Sequence, residues 1–162
     1  MIARACNIPR DGLLQAYATD GSTYTDCFEV MSPLAIPMEE FVQAFYSTWL
    51  FKVERLILSG VLRRLITDAD VLALADGADS FAVWTVEARA QNQLLLCDMT
   101  GHTRSYLALS AKDGGVTRLI FGSAVVPSEG GQLGRGIQAL MPLHRLYSKC
   151  LLRLAERKLR RG

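Results

Sequence analysis

Histidine is nearly absent: the 162 residues hold two. His102 and His144 stand far apart and outside any H-E-x-x-H pattern, so a histidine-based metal site is not signalled. The four cysteines, Cys6, Cys27, Cys97 and Cys150, form no C-x-x-C pair. That excludes the common zinc and redox motifs and reads as reduced, mostly buried thiols. Long apolar runs are missing too, since a polar residue interrupts each one well short of a membrane-spanning length. The start, "MIARACNIPRDG", lacks the continuous apolar core of a secretory signal, which makes a soluble cytoplasmic protein the expectation. No repeat or low-complexity segment is present. No serine occupies a nucleophile elbow. "GGQLGRG", with Gly131, Gly134 and Gly136, lacks both the Lys-Ser/Thr of a phosphate loop and the dinucleotide spacing, so no nucleotide or other cofactor is implied.

Charge of one sign is also lacking overall, with 18 basic against 16 acidic residues. The distribution is uneven, however. From Pro142 to Gly162 seven basic residues face one acid, Glu156, leaving eleven basic and fifteen acidic residues elsewhere, a balance of about −4. The acidic remainder supplies no second basic surface, so nucleic acid is not an expected partner. Lys and Arg at a helix C-terminus are favoured by the helix dipole alone. Contact with an anionic bilayer is the second reading of that end.

Half of the residues are apolar, and a chain of this length buries roughly 70% of its unfolded surface, enough for one domain over residues 1–162. "STYTDCFEV", Ser22 to Val30, is rich in β-branched and aromatic residues and reads as a strand. Then the period changes. Pro37 suits a first helical position, Glu39 and Glu40 favour a helix N-terminus, and Phe41, Phe45, Trp49, Val53 and Leu56 recur every three or four residues. Ser47 and Thr48 divide this run by capping a second helix, "WLFKVERLILSGVL". "TDADVLALADGA" is one more short helix, with Thr67 or Asp68 as cap and Gly77 as stop.

Four further strands follow: "SFAVWTVEAR", "QLLLCDM", "TRSYLALSA" and "VTRLIFGSAVV". Their spacers are too short for parallel crossovers, so they form an antiparallel meander. "PSEGGQLGRG" reads as a flexible loop. "IQALMPLHRLYSKCLLRLAERKLRR" is a long final helix whose Leu143, Tyr147, Cys150, Leu151 and Leu154 share an apolar face. The order predicts an α+β fold in which a curved antiparallel sheet wraps a long C-terminal helix.

With these runs in view, the chain resembles the helix-grip superfamily, the START-like or SRPBCC proteins, which include lipid-transfer domains, plant pollen allergens and polyketide cyclases. It is similar also to uncharacterised bacterial proteins with runs like "TDCFEV", "FYSTWLFKVERLIL", "RLIFGSAVVP" and "LHRLYSKCLLRLA". The resemblance covers about Tyr24 to Leu159, with a domain core of about 22–159. It implies a cavity between sheet and C-terminal helix and no shared catalytic set.

"LLLCDMTGHTRSYLAL" sets Asp98, His102 and Arg104 close together between apolar runs. A two-residue turn at Thr100 and Gly101 pairs Cys97 with Arg104 and Leu95 with Tyr106. Carried through the neighbouring turns, that register gathers Trp84, Val86, Ala88, Leu95, Cys97, Met99, Tyr106, Ala108, Leu119 and Phe121 on one face, the expected core. Thr85, Glu87, Arg89, Asp98, Thr103, Ser105 and Arg118 fall on the other. Asp98 then points away from Arg104. His102 is a turn residue, and Asp26 shares inward parity with Tyr24 and Phe28.

A guanidinium on an apolar face needs a partner. Either Arg104 pairs at the sheet end with solvent or a carboxylate such as Asp26, or it anchors the head group of a ligand. Trp49, Trp84 and Tyr147 are first of all core aromatics. The expected function is non-catalytic binding of a hydrophobic small molecule or lipid, with Trp84, Cys97, Tyr106, Phe121 and Tyr147 as walls and Arg104 as anchor. The enzyme alternative, a cyclase- or hydrolase-like activity, needs Arg104 and Asp26 or Tyr106 to converge on one substrate. A third reading is an interaction module using the basic helix end or the "FYSTWLF" segment.

Overall fold

The computed structural model describes residues 2–19, 21–62, 65–127 and 135–162. In chain order it contains β1 (Arg4–Ala5), α1 (Gln15–Ala18), β2 (Tyr24–Ser32), α2 (Met38–Tyr46), α3 (Trp49–Leu62), α4 (Asp68–Ala75), β3 (Ser80–Phe81), β4 (Trp84–Ala90), β5 (Gln93–Asp98), β6 (Thr103–Lys112), β7 (Val116–Val125) and α5 (Arg135–Leu159). The strands make one seven-stranded sheet, ordered β1-β2-β7-β6-β5-β4-β3, and every neighbouring pair is antiparallel. β2 and β7 are distant in sequence yet pair along their length, Phe28 opposite Phe121. Helices α2, α4 and α5 pack together, and α5 lies against β2 and β7. This is the α+β helix-grip layout.

The local signals act as expected. Pro37 differs by one position: it is the extended cap, and α2 begins at Met38, with Glu39 and Glu40 in the first turn as expected. Ser47 N–H donates to the Gln43 carbonyl and closes that helix, while Thr48 Oγ1 accepts from Phe51 N–H at 3.2 Å and opens α3. The Asp70 carboxylate accepts from Thr67 N–H at 2.7 Å, and Gly77, at φ 114°, ends α4 in a conformation that costs other residues energy. At the far end of α5, Lys158 Nζ donates to the Ser47 carbonyl at 3.2 Å and to its hydroxyl at 2.6 Å. Glu156 pairs with Arg160 at 3.8 Å. Part of the basic helix end is thus engaged inside the fold.

The sheet departs from the expected five strands. "SFAVWTVEAR" is a tight hairpin, because Ala82 adopts φ 56° and turns β3 back on β4. An edge strand, Arg4–Ala5, adds to Glu29 and Phe28.

The face assignment needs correcting at two places. The turn after β6 spans three residues, with Gly114 and Gly115 at φ 75° and 74°, so Lys112 pairs with Val116 and Tyr106 faces Gly122. In β4 a bulge between Val86 and Ala88 reverses the strand's parity. The expected single core face therefore mixed two faces. Phe28, Val30, Trp84, Val86, Leu94, Leu96, Leu107, Leu119 and Phe121 pack towards the helices. Leu95, Tyr106, Ala108 and Ala88 belong to a second cluster on the back of the sheet, with Leu14, Ile8, Leu13 and Tyr17 laid over them. Cys97 and Arg104, paired in the same register, share that back face. The N-terminal segment that covers it gave no sequence signal. Gly122 makes the cover fit: a Cβ there would meet Leu14 Cδ2 at 2.7 Å and the Asp26 carbonyl at 3.0 Å.

The buried stripe of α5 also differs from expectation. Ser148, Leu151, Leu152, Ala155 and Glu156 are buried, whereas Cys150 is exposed and Leu143 is 64% exposed. Most of the expected loop "PSEGGQLGRG", residues 128–134, lies outside the described residues.

Candidate functional site

Between the helix-facing side of the sheet, α3 and the N-terminal half of α5 lies a groove of about 640 Å³, within the range of small-molecule sites. Its floor is aromatic. Phe45 packs on Phe121 at 4.7 Å between ring centroids, with Phe51 and Trp84 beside them. Leu140 and Leu143 form a lip on α5, 59% and 64% exposed.

Two polar groupings interrupt this apolar surface. The first is built by the β2–β7 register, which sets Asp26 opposite Ser123, and by His144 reaching in from α5. Ser123 Oγ donates to Asp26 Oδ1 at 2.6 Å, and Tyr24 donates its phenol to Oδ2 at 3.0 Å. Burial, reinforced by the neighbouring carboxylate, pushes the Tyr24 phenol up to about 12. His144 Nε2 lies 2.9 Å from Ser123 Oγ and 3.6 Å from Asp26 Oδ2. With the serine proton directed to Asp26, Nε2–H is the donor towards Ser123. A nucleophilic serine needs the opposite arrangement, a histidine nitrogen accepting the hydroxyl proton while the carboxylate holds the other nitrogen. Ser123, His144 and Asp26 therefore make a positioning network rather than a hydrolytic triad.

The second grouping joins α3 to α5. Tyr147 donates its phenol to Glu54 Oε2. Burial raises the Glu54 carboxyl above its ordinary value, opposed by the Tyr147 bond and by the field of His144. Desolvation, then the bond to Glu54, pushes the Tyr147 phenol up strongly. Deeper in, Tyr46 and Ser105 share a hydrogen bond of 3.0 Å. None of the described residues gives the buried Trp84 indole Nε1 a hydrogen-bond partner. Among the described residues, no three His, Cys, Asp or Glu side chains gather as a metal ion requires.

Of the residues expected to form the site, Trp84, Phe121 and Tyr147 line the groove. Arg104 borders it from β6, but its guanidinium is held on the back of the sheet. There it bonds Tyr17 Oη at 2.9 Å, the Gly101 carbonyl at 2.6 Å and Glu87 at 2.6 Å, with its carbon 4.8 Å above the Tyr17 ring. Its acidic partner is thus Glu87 and not Asp26. Tyr106 is also behind the sheet, donating at 2.8 Å to Gln93 Oε1, the oxygen that accepts Leu13 N–H at 2.9 Å. Cys97 lies on that face with Arg104. Convergence of Arg104 with Asp26 on one substrate does not occur. His102 is exposed at its turn, 3.2 Å from the Val126 carbonyl, and Asp98 caps the same turn through Thr103 N–H at 3.0 Å.

Sequence reasoning missed Phe45, Phe51, Glu54, Ser123 and His144 as groove residues. One signal was available for His144, which sits one helical turn before Tyr147 and so shares its face. The Asp26–Ser123 encounter had none, because it depends on a strand pairing across most of the chain.

No family model matches the chain, and no curated protein matches it. Among solved structures it is similar to the crystal structure of Ara h 8.0201, with a TM-score of 0.42 and 10% identity over 86% of this chain and 99% of that one. It is also similar to a conserved protein of unknown function from Enterococcus faecalis, with a TM-score of 0.37 and 12% identity over 91% of this chain and 93% of that one. The helix-grip layout stands on the strand order and the position of α5, and it defines a groove whose walls come from the sheet, α3 and α5.

Proposed function

We propose that the protein binds an apolar small molecule or lipid in the groove between its sheet and α5, with Trp84, Phe121 and Tyr147 among the walls. The observation that carries this reading is the groove's make-up: a volume of about 640 Å³, an aromatic floor and an exposed leucine lip. Apolar surface left open in this way gains free energy when a ligand covers it, at about 25 cal/mol per Å² removed from water. The polar groups at the α3–α5 junction then orient the ligand.

Native mass spectrometry of gently purified protein, followed by solvent extraction, tests the reading. A co-purifying or added aliphatic ligand at one per chain is expected, and Leu140→Ser with Leu143→Ser is expected to weaken its retention while leaving the unfolding temperature unchanged. Failure of every apolar ligand to bind, or binding indifferent to both substitutions, refutes it.

A further inference from the structure

The groove's charge narrows the ligand class. This inference rests on the binding reading above. Among the described residues that line the groove, the one Lys or Arg is Arg104, and its guanidinium is committed to Glu87, Tyr17 and the Gly101 carbonyl on the other side of the sheet. Glu54, by contrast, is a lining residue. Its Oε2 accepts the hydrogen bond from the Tyr147 phenol, leaving acceptor capacity on the carboxyl. Asp26 stands behind Ser123 and His144 in the first polar grouping, where it accepts from Ser123 and Tyr24. Of the neighbouring cations of α5, Lys149 lies over the Phe28 ring at 5.5 Å, and the field of Arg145 falls on Tyr24, the phenol bonded to Asp26. Glu54 is thus the one carboxyl among the described lining residues, and the one guanidinium among them is turned away from it.

We infer that the groove selects an apolar amine, a ligand with an aliphatic or aromatic body and a protonated nitrogen anchored on Glu54. A carboxylate head group would be brought towards Glu54 with no uncommitted guanidinium or ammonium among the described lining residues to receive it, and like charges at short range in a partly dry site repel strongly. An ammonium in the same place gains a charge-assisted hydrogen bond. This reverses the head-group preference that an arginine anchor would give.

The test compares three ligands of one chain length, dodecylamine, dodecan-1-ol and dodecanoate, titrated at neutral pH below their aggregation concentrations by calorimetry and native mass spectrometry. Dodecylamine is expected to bind at least tenfold more tightly than dodecanoate, with dodecanol between them. Glu54→Gln keeps the shape and the Tyr147 bond, and it is expected to bring dodecylamine to the level of dodecanol without changing dodecanol itself. Tyr147→Phe frees the carboxyl and is expected to retain the amine preference. Dodecanoate binding as tightly as the amine overturns the charge argument while the groove reading stands, as does an amine preference untouched by Glu54→Gln. If none of the three binds, the groove reading falls and this inference with it. The wild-type ratio decides the matter even if a variant fails to fold.

Discussion

Arg104→Met is the most decisive single change, because an anchor in the groove and a clasp behind the sheet predict opposite results. The substitution keeps the aliphatic stem and removes the guanidinium. What is lost is the 2.6 Å pair with Glu87, the 2.9 Å bond to Tyr17 and the 2.6 Å bond to the Gly101 carbonyl. A hydrogen bond to a charged group contributes about 1.5–3 kcal/mol when shielded. Here the Arg104 side chain is 12% exposed and that of Glu87 31%, so solvent takes over part of the role and a net loss of about 1–2 kcal/mol is expected. For a chain of this size that lowers the melting temperature by about 2–8 °C. Circular dichroism melts read the stability, and titration with dodecanol and dodecylamine reads the groove, where affinities are expected to stay within twofold. Glu87→Gln in the same background should add little, since the pair is already broken; the double-mutant cycle isolates their coupling. A variant with an unchanged melt and a tenfold loss of ligand affinity would place the guanidinium in the groove and refute the back-face assignment.

Two more predictions follow from other regions. Burial raises the Glu54 carboxyl above its ordinary value of 4.5, so the folded state holds this proton more tightly than the unfolded one and ionisation costs stability as pH rises through that range. The melting temperature of Glu54→Gln relative to the parent should therefore climb from pH 4 towards pH 7 and level off above the folded-state value; a flat or falling difference contradicts it. On the back of the sheet, Cys6 and Cys27 face each other across β1 and β2 with sulfurs 3.4 Å apart, next to the 3.0 Å bond from Cys6 N–H to the Cys27 carbonyl. The hydrogen bond shared with Cys27 lowers the Cys6 thiol against the effect of burial. Diamide, which takes up the two thiol hydrogens, is expected to convert this pair to a disulfide while leaving Cys97 and Cys150 unlinked. Peptide mapping that finds Cys6 and Cys27 unlinked after diamide treatment sinks the idea.

Much of the architecture is written in short-range chemistry. Thr67, Asp70 and Gly77 bound α4 through bonds and a backbone angle that involve only near neighbours, and Ser47 and Thr48 split α2 from α3 in the same way. Cys97 stands opposite Arg104 as expected, although the connection is a four-residue loop, 99–102, in which Gly101 N–H donates to the Asp98 carbonyl, and not a two-residue turn; the two lengths keep the same register. Asp26 faces inward by the alternation of its own strand.

Alternation, however, gives only relative parity. Which side of the sheet meets the helices, and whether parity survives a turn, depend on single residues, because one residue of slip reverses a whole strand. The bulge at Glu87 and the three-residue turn after Lys112 each supplied such a slip. They left Trp84 and Phe121 in the groove and sent Cys97, Arg104 and Tyr106 behind it. The N-terminal cover and the meeting of Asp26, Ser123 and His144 join segments far apart in the chain, and no spacing in the sequence encodes such encounters. The sequence by itself determined the main helices and strands, their order and the class of fold; only the tertiary structure decided the two short edge strands and which side chains share the groove, since those are made by long-range pairing and by the packing of two different layers on the two faces of one sheet.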